Sequence, residues 1–403
     1  MATPADRNES TSLMEPMLVG ETSRRRAALN DQALELVAAS TRLDRSLPPG
    51  AARSLARLVR SMNCYYSNLI EGHDTHPVDI ERALRADYSA EPAKRVLQLE
   101  ARSHIAVQSW IDGGGLAGRA ATADGIREIH RRFCEELPEP LLWVQNPDAG
   151  TRQRVVPGHW RESDVAVGRH YAVSPGAVVR FMERFDVAYG RLGKLDSVLA
   201  AAAAHHRLLW IHPFADGNGR VARLMSHAML KDSIDTCGIW SIARGLARHE
   251  TAYKDHLEEC DQPRRGDLDG RGALSEESLA GFVGFFLDIC LDQVTFMERL
   301  VQADSLIGRV VRWAESETAA GRLVPRSDRL LEALLARGAL ERGEAERVVG
   351  ASDRTARRVT SALIASGVVE SDSPRAPLRL AFPATAAHHW LPGLFPEPPT
   401  DSP

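Results

Sequence analysis

Residues 208–223 read Leu-Leu-Trp-Ile-His-Pro-Phe-Ala-Asp-Gly-Asn-Gly-Arg-Val-Ala-Arg. Leu208, Leu209 and Ile211 carry a helix as far as His212, where Pro213, Asp216 and two glycines break it. A second helix starts near Gly217 to Gly219, so the segment is a helix, a tight loop and another helix. The first amides of that second helix have no partner within it, and the glycines remove the side chains that would keep a ligand away. Gly217, Asn218 and Gly219 therefore form an anion nest suited to phosphate.

The groups around the nest match phosphoryl or nucleotidyl transfer. Asp216 offers a hard oxygen for a magnesium ion that bridges phosphates, and Arg220 and Arg223, three apart on one helix face, oppose the remaining phosphate charge. His212 is placed to take a proton from an attacking hydroxyl. Each of these residue types taken alone is also what a turn or a helix cap selects. The combination goes beyond turn chemistry, and apolar Phe214 inside so polar a loop reads as an anchor into the core.

The rest of the chain is mainly helical in pattern. Leu55, Leu58, Val59, Met62, Tyr66, Leu69 and Ile70 recur at three- and four-residue steps, which predicts an amphipathic helix over 51–71 stopped by Gly72. Similar patterns predict helices over 92–112, 122–136, 175–192, 195–210, 218–231 and 279–300. Trp160 to Val173 departs from this: Val165, Val167, Tyr171 and Val173 fall in period-two pairs around Gly168, which predicts a short hairpin. An isolated hairpin either packs as structure or receives a strand from elsewhere. Asp261 to Ser275, with Pro263 and three glycines, reads as an exposed loop.

With 403 residues, 44% of them hydrophobic and 26% charged, the chain has material for two or three domains. A net charge of -4 gives no global reason to expect nucleic acid or a membrane surface as the main partner. The five cysteines, Cys64, Cys134, Cys237, Cys260 and Cys290, are scattered, odd in number and without a Cys-x-x-Cys pair, so neither a disulfide framework nor a zinc site is indicated. No leader-like segment opens the chain and no apolar run reads as a membrane span, so a cytoplasmic location is expected.

His212 to Arg223, HPFADGNGRVAR, resembles the signature loop of the Fic family, HxFx(D/E)GNGRxxR, with every constant position filled. The resemblance extends more loosely over residues 50 to 300. It implies a helical fold and transfer of AMP from ATP, with Mg2+, to a Ser, Thr or Tyr hydroxyl of a target protein or of the chain itself. On that resemblance His212 is the general base, Asp216 the magnesium ligand, Gly217, Asn218 and Gly219 the phosphate cradle, and Arg220 and Arg223 the contacts to the outer phosphates. The hairpin takes the place of a flap whose main chain, around Val165 and Val167, pairs with an extended target segment. Tyr253, Leu257 and Asp261 fall at four-residue steps where the family surrounds the adenine, although a tyrosine and a leucine at that spacing equally suit a core.

Ser67-Asn68-Leu69-Ile70-Glu71-Gly72 resembles the family's inhibitory motif (S/T)xxxE(G/N). Ser67 and Glu71 share a helix face, and a glutamate in a last turn opposes the helix dipole unless a cation compensates. The resemblance implies that Glu71 pairs with Arg223 in the space of the ATP γ-phosphate. In some relatives the same glutamate positions a water that removes AMP from the modified protein, and the residues do not decide the direction.

Beyond Pro325, three short helical patterns (Leu330 to Ala336, Glu344 to Val349, Asp353 to Ser366) precede two apolar stretches, an order that predicts a winged helix-turn-helix. Arg354, Arg357 and Arg358 lie on one side of the third pattern, as on a DNA-reading helix, but such modules also join proteins or make homodimers. On this alternative the chain is a DNA-binding regulator that senses nucleotide. The expected organisation is a mobile N-terminal arm (1–27), an N-terminal helical region with the inhibitory helix (28–110), a catalytic core (111–300), a linker helix and winged helix-turn-helix (301–390) and a disordered Pro-rich tail (391–403).

Overall fold

The computed structural model describes residues 4–146, 151–234 and 238–396. Its helices are α1 (Arg26–Asp44), α2 (Pro49–Ile70), α3 (Pro77–Leu84), α4 (Pro92–Asp112) and α5 (Ala123–Glu135), followed by strands β1 (Trp143–Asn146), β2 (Thr151–Arg154), β3 (Ala166–Val167) and β4 (His170–Tyr171). Next come α6 (Val178–Tyr189), α7 (Lys194–Ile211), α8 (Asn218–Ile234), α9 (Ile242–Arg248), α10 (Glu250–Cys260) and α11 (Glu276–Val301). The chain continues through α12 (Ala303–Ala319), α13 (Ser327–Arg337), α14 (Ala345–Val349), α15 (Asp353–Ala365), β5 (Val369–Glu370), β6 (Arg379–Leu380) and α16 (Ala384–Trp390). The strands pair as three two-stranded antiparallel ribbons, so the fold is mainly α as predicted.

Two compact units emerge, the first made of Met1–Ala38, Asn63–Asp235 and Ser241–Gln293, the second of Ala39–Met62, Thr236–Trp240 and Val294–Pro403. This differs from the division at 110 and 300 expected from sequence. The reason lies in α2. Its first half belongs with the C-terminal segment, where Gly50 lies so close to Gly338 that a side chain on it would meet the Gly338 carbonyl, and Arg57 pairs with Glu370.

In the first unit α7 and α8 form the central antiparallel pair. Ala200 to Ala204 are all buried, and such small side chains let neighbouring helices approach α7 closely. Phe181 and Phe185 from α6 and Phe282 and Phe286 from α11 are buried in the same core. The most apolar stretch of α11 has a mean hydropathy of 1.5, so by length and composition this helix could cross a bilayer, contrary to the sequence reading. Its fully buried Leu279, Phe282, Val283, Phe286 and Leu287 give it the pattern of a core helix.

The N-terminal segment corrects the expectation of a mobile arm. From residue 4 onward it is held in place: Arg180 pairs with Asp6, the Ser174 amide and hydroxyl both donate to Glu9, and the Tyr189 hydroxyl donates to the Met17 carbonyl. Met14, Met17 and Val19 are buried. Asp6, Glu9, Glu15, Arg25 and Arg26 all meet partners remote in sequence, which ties down an otherwise loose terminus.

In the second unit, α13, α14 and α15 lead into the β5–β6 ribbon, which pairs Val369 with Leu380 and Glu370 with Arg379. Arg354, Arg357 and Arg358 are exposed, while Ala356, Val359 and Leu363 are buried on the opposite side of α15. Helix α16 was not foreseen, and Trp390, Leu391 and Leu394 are fully buried, so the residues before 397 correct the reading of a disordered tail from 391. Cys237 and residues 397–403 of that tail lie outside the described residues; Cys64, Cys134, Cys260 and Cys290 are buried free thiols.

Candidate active site

Helix α7 ends where His212 enters the left-handed region (φ 50, ψ 60). The chain then turns through Pro213 to Gly217, and Gly217 (φ +80) again takes a conformation that favours glycine. Phe214 is fully buried, as the sequence suggested, and stacks face to face on His130 from α5 at a centroid distance of 3.8 Å. The Asn218 side chain folds back onto the loop, accepting from the Phe214 amide (3.0 Å) and donating to the Phe214 carbonyl (2.9 Å). The Asn218 side chain thus braces the loop, and its backbone amide is the group it can offer an anion, as the nest reading expects.

Two residues missed in the sequence hold this loop from outside. The His130 Nδ1 accepts from the Gly158 amide (2.9 Å), so its proton sits on Nε2, 3.3 Å from the Asp216 carbonyl. Burial pushes this imidazole down to about 3, which keeps it neutral. Arg161 is buried, and its guanidinium donates to the carbonyls of Ser163, Val173, Ile211 and His212, while its amide donates to Pro213 O. It thus joins the start of the loop to both flanks of the β3–β4 hairpin.

His212 is half-buried, with Nδ1 3.3 Å from the Leu209 carbonyl. A carbonyl only accepts, so Nδ1 carries the proton and Nε2 keeps its lone pair. Burial pushes the imidazole down to about 4, and the nearby Arg161 charge acts in the same direction. At neutral pH this is an uncharged base.

The arginines are more committed than their spacing implied. Arg220 is buried, pairs with Glu100 of α4 and lies 3.3 Å from Asp216, with its guanidinium 5.1 Å from the centre of the Phe133 ring. A fully buried carboxylate already balances its charge. Glu100 itself escaped the sequence reading; the only hint was a polar set at helical spacing, Glu100, Ser103, His104 and Gln108, which α4 buries.

Arg223 is buried and donates from Nε to the Ser67 hydroxyl (2.9 Å), and from one terminal nitrogen to the Ser67 carbonyl (3.0 Å) and Glu71 Oε1 (2.5 Å). Burial alone would raise the Glu71 carboxyl, but Arg223 and Arg220 outweigh it and hold the group below its usual range. A methyl group on Gly219 would run into Glu71 Oε1 and lie 3.2 Å from Arg223. The Glu71 carboxylate thus sits over the glycine nest at the start of α8, where an anion is favoured.

Tyr253 is buried behind Arg223, and its hydroxyl donates to His205 Nε2 (2.6 Å), since His205 Nδ1–H is taken by Ser226. Of its two readings, the core one fits this geometry. Asp261 ends α10 and bonds to His206 (3.0 Å). The predicted hairpin is present but only four residues form its strands, with Ala166 opposite Tyr171 and Val167 opposite His170. Val165 is half-buried and Val167 exposed, so neither anchors it in the core; His170 does, through Nε2 to the Trp210 carbonyl (2.7 Å). The β1–β2 ribbon just before it went unpredicted.

Residues 120–230, which include the whole loop, match the model of the Fic/DOC family. This stretch of the chain is similar to a Fic domain. The protein named Protein adenylyltransferase Fic from Nematostella vectensis is 29% identical over 194 residues, 46% of this chain and 41% of that protein. Its namesake from Drosophila erecta is 40% identical over 111 residues, 27% of this chain and 19% of that protein. The chain thus spans less than half the length of these relatives. Among solved structures, a Fic family protein from Desulfovibrio desulfuricans G20 superposes with a TM-score of 0.50 at 17% identity, covering 87% of this chain and 95% of its own. Fic-1 from C. elegans gives 0.51 at 19% identity, covering 67% and 72%. At such identities the likeness concerns the fold of the Fic domain.

Proposed function

We propose that this protein is a protein adenylyltransferase that moves AMP from ATP to a Ser, Thr or Tyr hydroxyl of a target protein or of itself, and that Glu71 holds it silent. The observation that carries the reading is the join of a neutral His212, with Nε2 unprotonated, to a glycine nest whose anion place is taken by a carboxylate of the chain. The adenylyltransferase name of the relatives supports the choice of donor.

In this reading His212 Nε2 accepts the proton of the attacking hydroxyl. The hydroxyl oxygen forms a bond to the α-phosphorus, the bond from that phosphorus to the bridging oxygen breaks, and pyrophosphate departs. The amides at Gly217 to Gly219 cradle the phosphates, and Arg223 opposes their charge once Glu71 withdraws. Asp216 suits Mg2+: its side chain is 42% exposed, and magnesium is commonly held by one or two carboxylates together with substrate phosphates. Among the described residues no group of three or more His, Cys, Asp or Glu is placed to hold a metal, so the ion would come with the nucleotide. When bound it would neutralise phosphate charge. The exposed edge at Val167 and Tyr171 suits pairing with an extended target segment.

The second unit is read as a winged helix-turn-helix, supported by the order α13, α14, α15, β5, β6 and by the exposed arginines of α15. The deciding experiment incubates wild type, Glu71→Gly and His212→Ala with α-labelled and γ-labelled ATP, with and without cell lysate. Protein-bound α-label in Glu71→Gly and none in His212→Ala supports AMP transfer. Retention of γ-label alone rejects it, and loss of label from previously modified protein favours the reverse reaction. Salt-dependent retention on DNA without label transfer favours a regulator.

A further inference from the structure

The turn that carries Glu71 has a second attachment. After α2 ends at Ile70, the amides of Glu71 and His73 both donate to the Asn68 carbonyl, and Gly72 takes φ +81. Residues 68–73 are therefore held together in one hydrogen-bonded turn. The His73 Nδ1 donates to Glu100 Oε2 at 2.7 Å, while Glu100 Oε1 accepts from Arg220. Glu100 is completely buried, and one carboxylate serves the loop on one side and the inhibitory turn on the other.

We infer that Glu100 is a positioning residue that joins the loop arginine to the Glu71 turn, and that His73 is the second point by which this turn is latched. Glu71 grips Arg223 directly, and His73 grips Arg220 through Glu100. The inference deepens the proposed autoinhibition and rests on that reading. The two points differ in kind. Glu71 occupies the anion place itself, whereas His73 touches no part of the nest and acts only by holding the turn in register, so releasing His73 lets Glu71 swing while leaving every nest group intact. The side chain of His73 is 30% exposed, as is that of Glu71, so both ends of the latch are open to solvent.

The test compares wild type, His73→Ala, His73→Gln, Glu71→Gly and the double variant Glu71→Gly/His73→Ala. Two readouts are taken: affinity for a fluorescent ATP analogue without added metal, and α-label transferred to protein. His73→Ala should raise both about three- to tenfold, the worth of one charge-assisted hydrogen bond reduced for solvent access. His73→Gln keeps a donor for Glu100 and should stay close to wild type. The double variant should match Glu71→Gly, because without the carboxylate there is nothing to latch. His73→Ala at the wild-type level in both readouts overturns the inference, and so does an equal gain from His73→Ala whether or not Glu71 is present. A gain in analogue affinity without any label transfer, even in Glu71→Gly, supports the latch while rejecting AMP transfer.

Discussion

Replacing Glu71 by glycine removes a carboxylate whose partner has little water to turn to. The Arg223 side chain is 3% exposed and that of Glu71 30%, at 2.5 Å. Breaking a buried pair of this kind costs about 3–5 kcal/mol, and partial solvent access at the carboxylate reduces this to about 2–3 kcal/mol. Arg223 keeps both of its bonds to Ser67, so its position survives the change. An anion that enters the nest no longer has to displace Glu71. Nucleotide affinity should rise by the same free energy, which is about 30- to 150-fold. Titration of a fluorescent ATP analogue measures this directly, and an unaltered circular dichroism spectrum with a cooperative, though lowered, thermal transition shows that the fold is retained. An affinity within twofold of wild type in a folded variant would refute the argument that the carboxylate fills the anion place.

Other perturbations have equally definite outcomes. His212 is held neutral down to about pH 4, so transfer by Glu71→Gly should be level through neutrality and fall only as pH drops through about 4; a fall centred near the ordinary histidine value would contradict the burial argument. Replacing Arg161 by methionine removes a positive neighbour of His212, so the imidazole pKa should move up, as read from its NMR titration, and an unmoved curve would show that the Arg161 charge is not felt there. Asn218→Ala leaves the buried amide and carbonyl of Phe214 without their partners and should cost about 1–3 kcal/mol in chemical denaturation. The two ends of the Glu71 turn should respond oppositely to pH. The Glu71 carboxyl is lowered, so its hold is present above the ordinary carboxylate value and is lost only on strong acidification. His73, facing Glu100, Arg220 and Glu71, is raised chiefly by its bond to Glu100, so its hold is complete below the ordinary histidine value and lost as pH rises through the raised one. Analogue affinity of wild type should therefore climb on the alkaline side, and His73→Gln should abolish that climb.

The loop was legible because its chemistry is local: the helix stop at His212, the nest glycines and the buried Phe214 all follow from neighbours within a few residues. The amphipathic helices were legible for the same reason, and α4, α7 and α8 fall within a few residues of their predicted limits. What could not be read were charges satisfied at long range. Glu100 lies 120 residues from Arg220, and Asp6 lies 174 from Arg180. Nothing in their own surroundings distinguishes a carboxylate destined for burial from a solvated one, which is why the Glu100 partner of Arg220 goes unread and the N-terminal segment reads as mobile. Tyr253 is ambiguous for a different reason. Helical spacing puts it on a face but does not say whether that face looks at a ligand or at His205.

Because the Asn218 amide group closes on both backbone atoms of Phe214, and Phe214 is clasped against His130, the entropy of shaping the loop is spent when the chain folds. A ligand that reaches the nest meets amides already aligned and forfeits nothing for ordering them. Loosening that clasp would therefore register as weakened binding even where the substituted atom never touches the ligand.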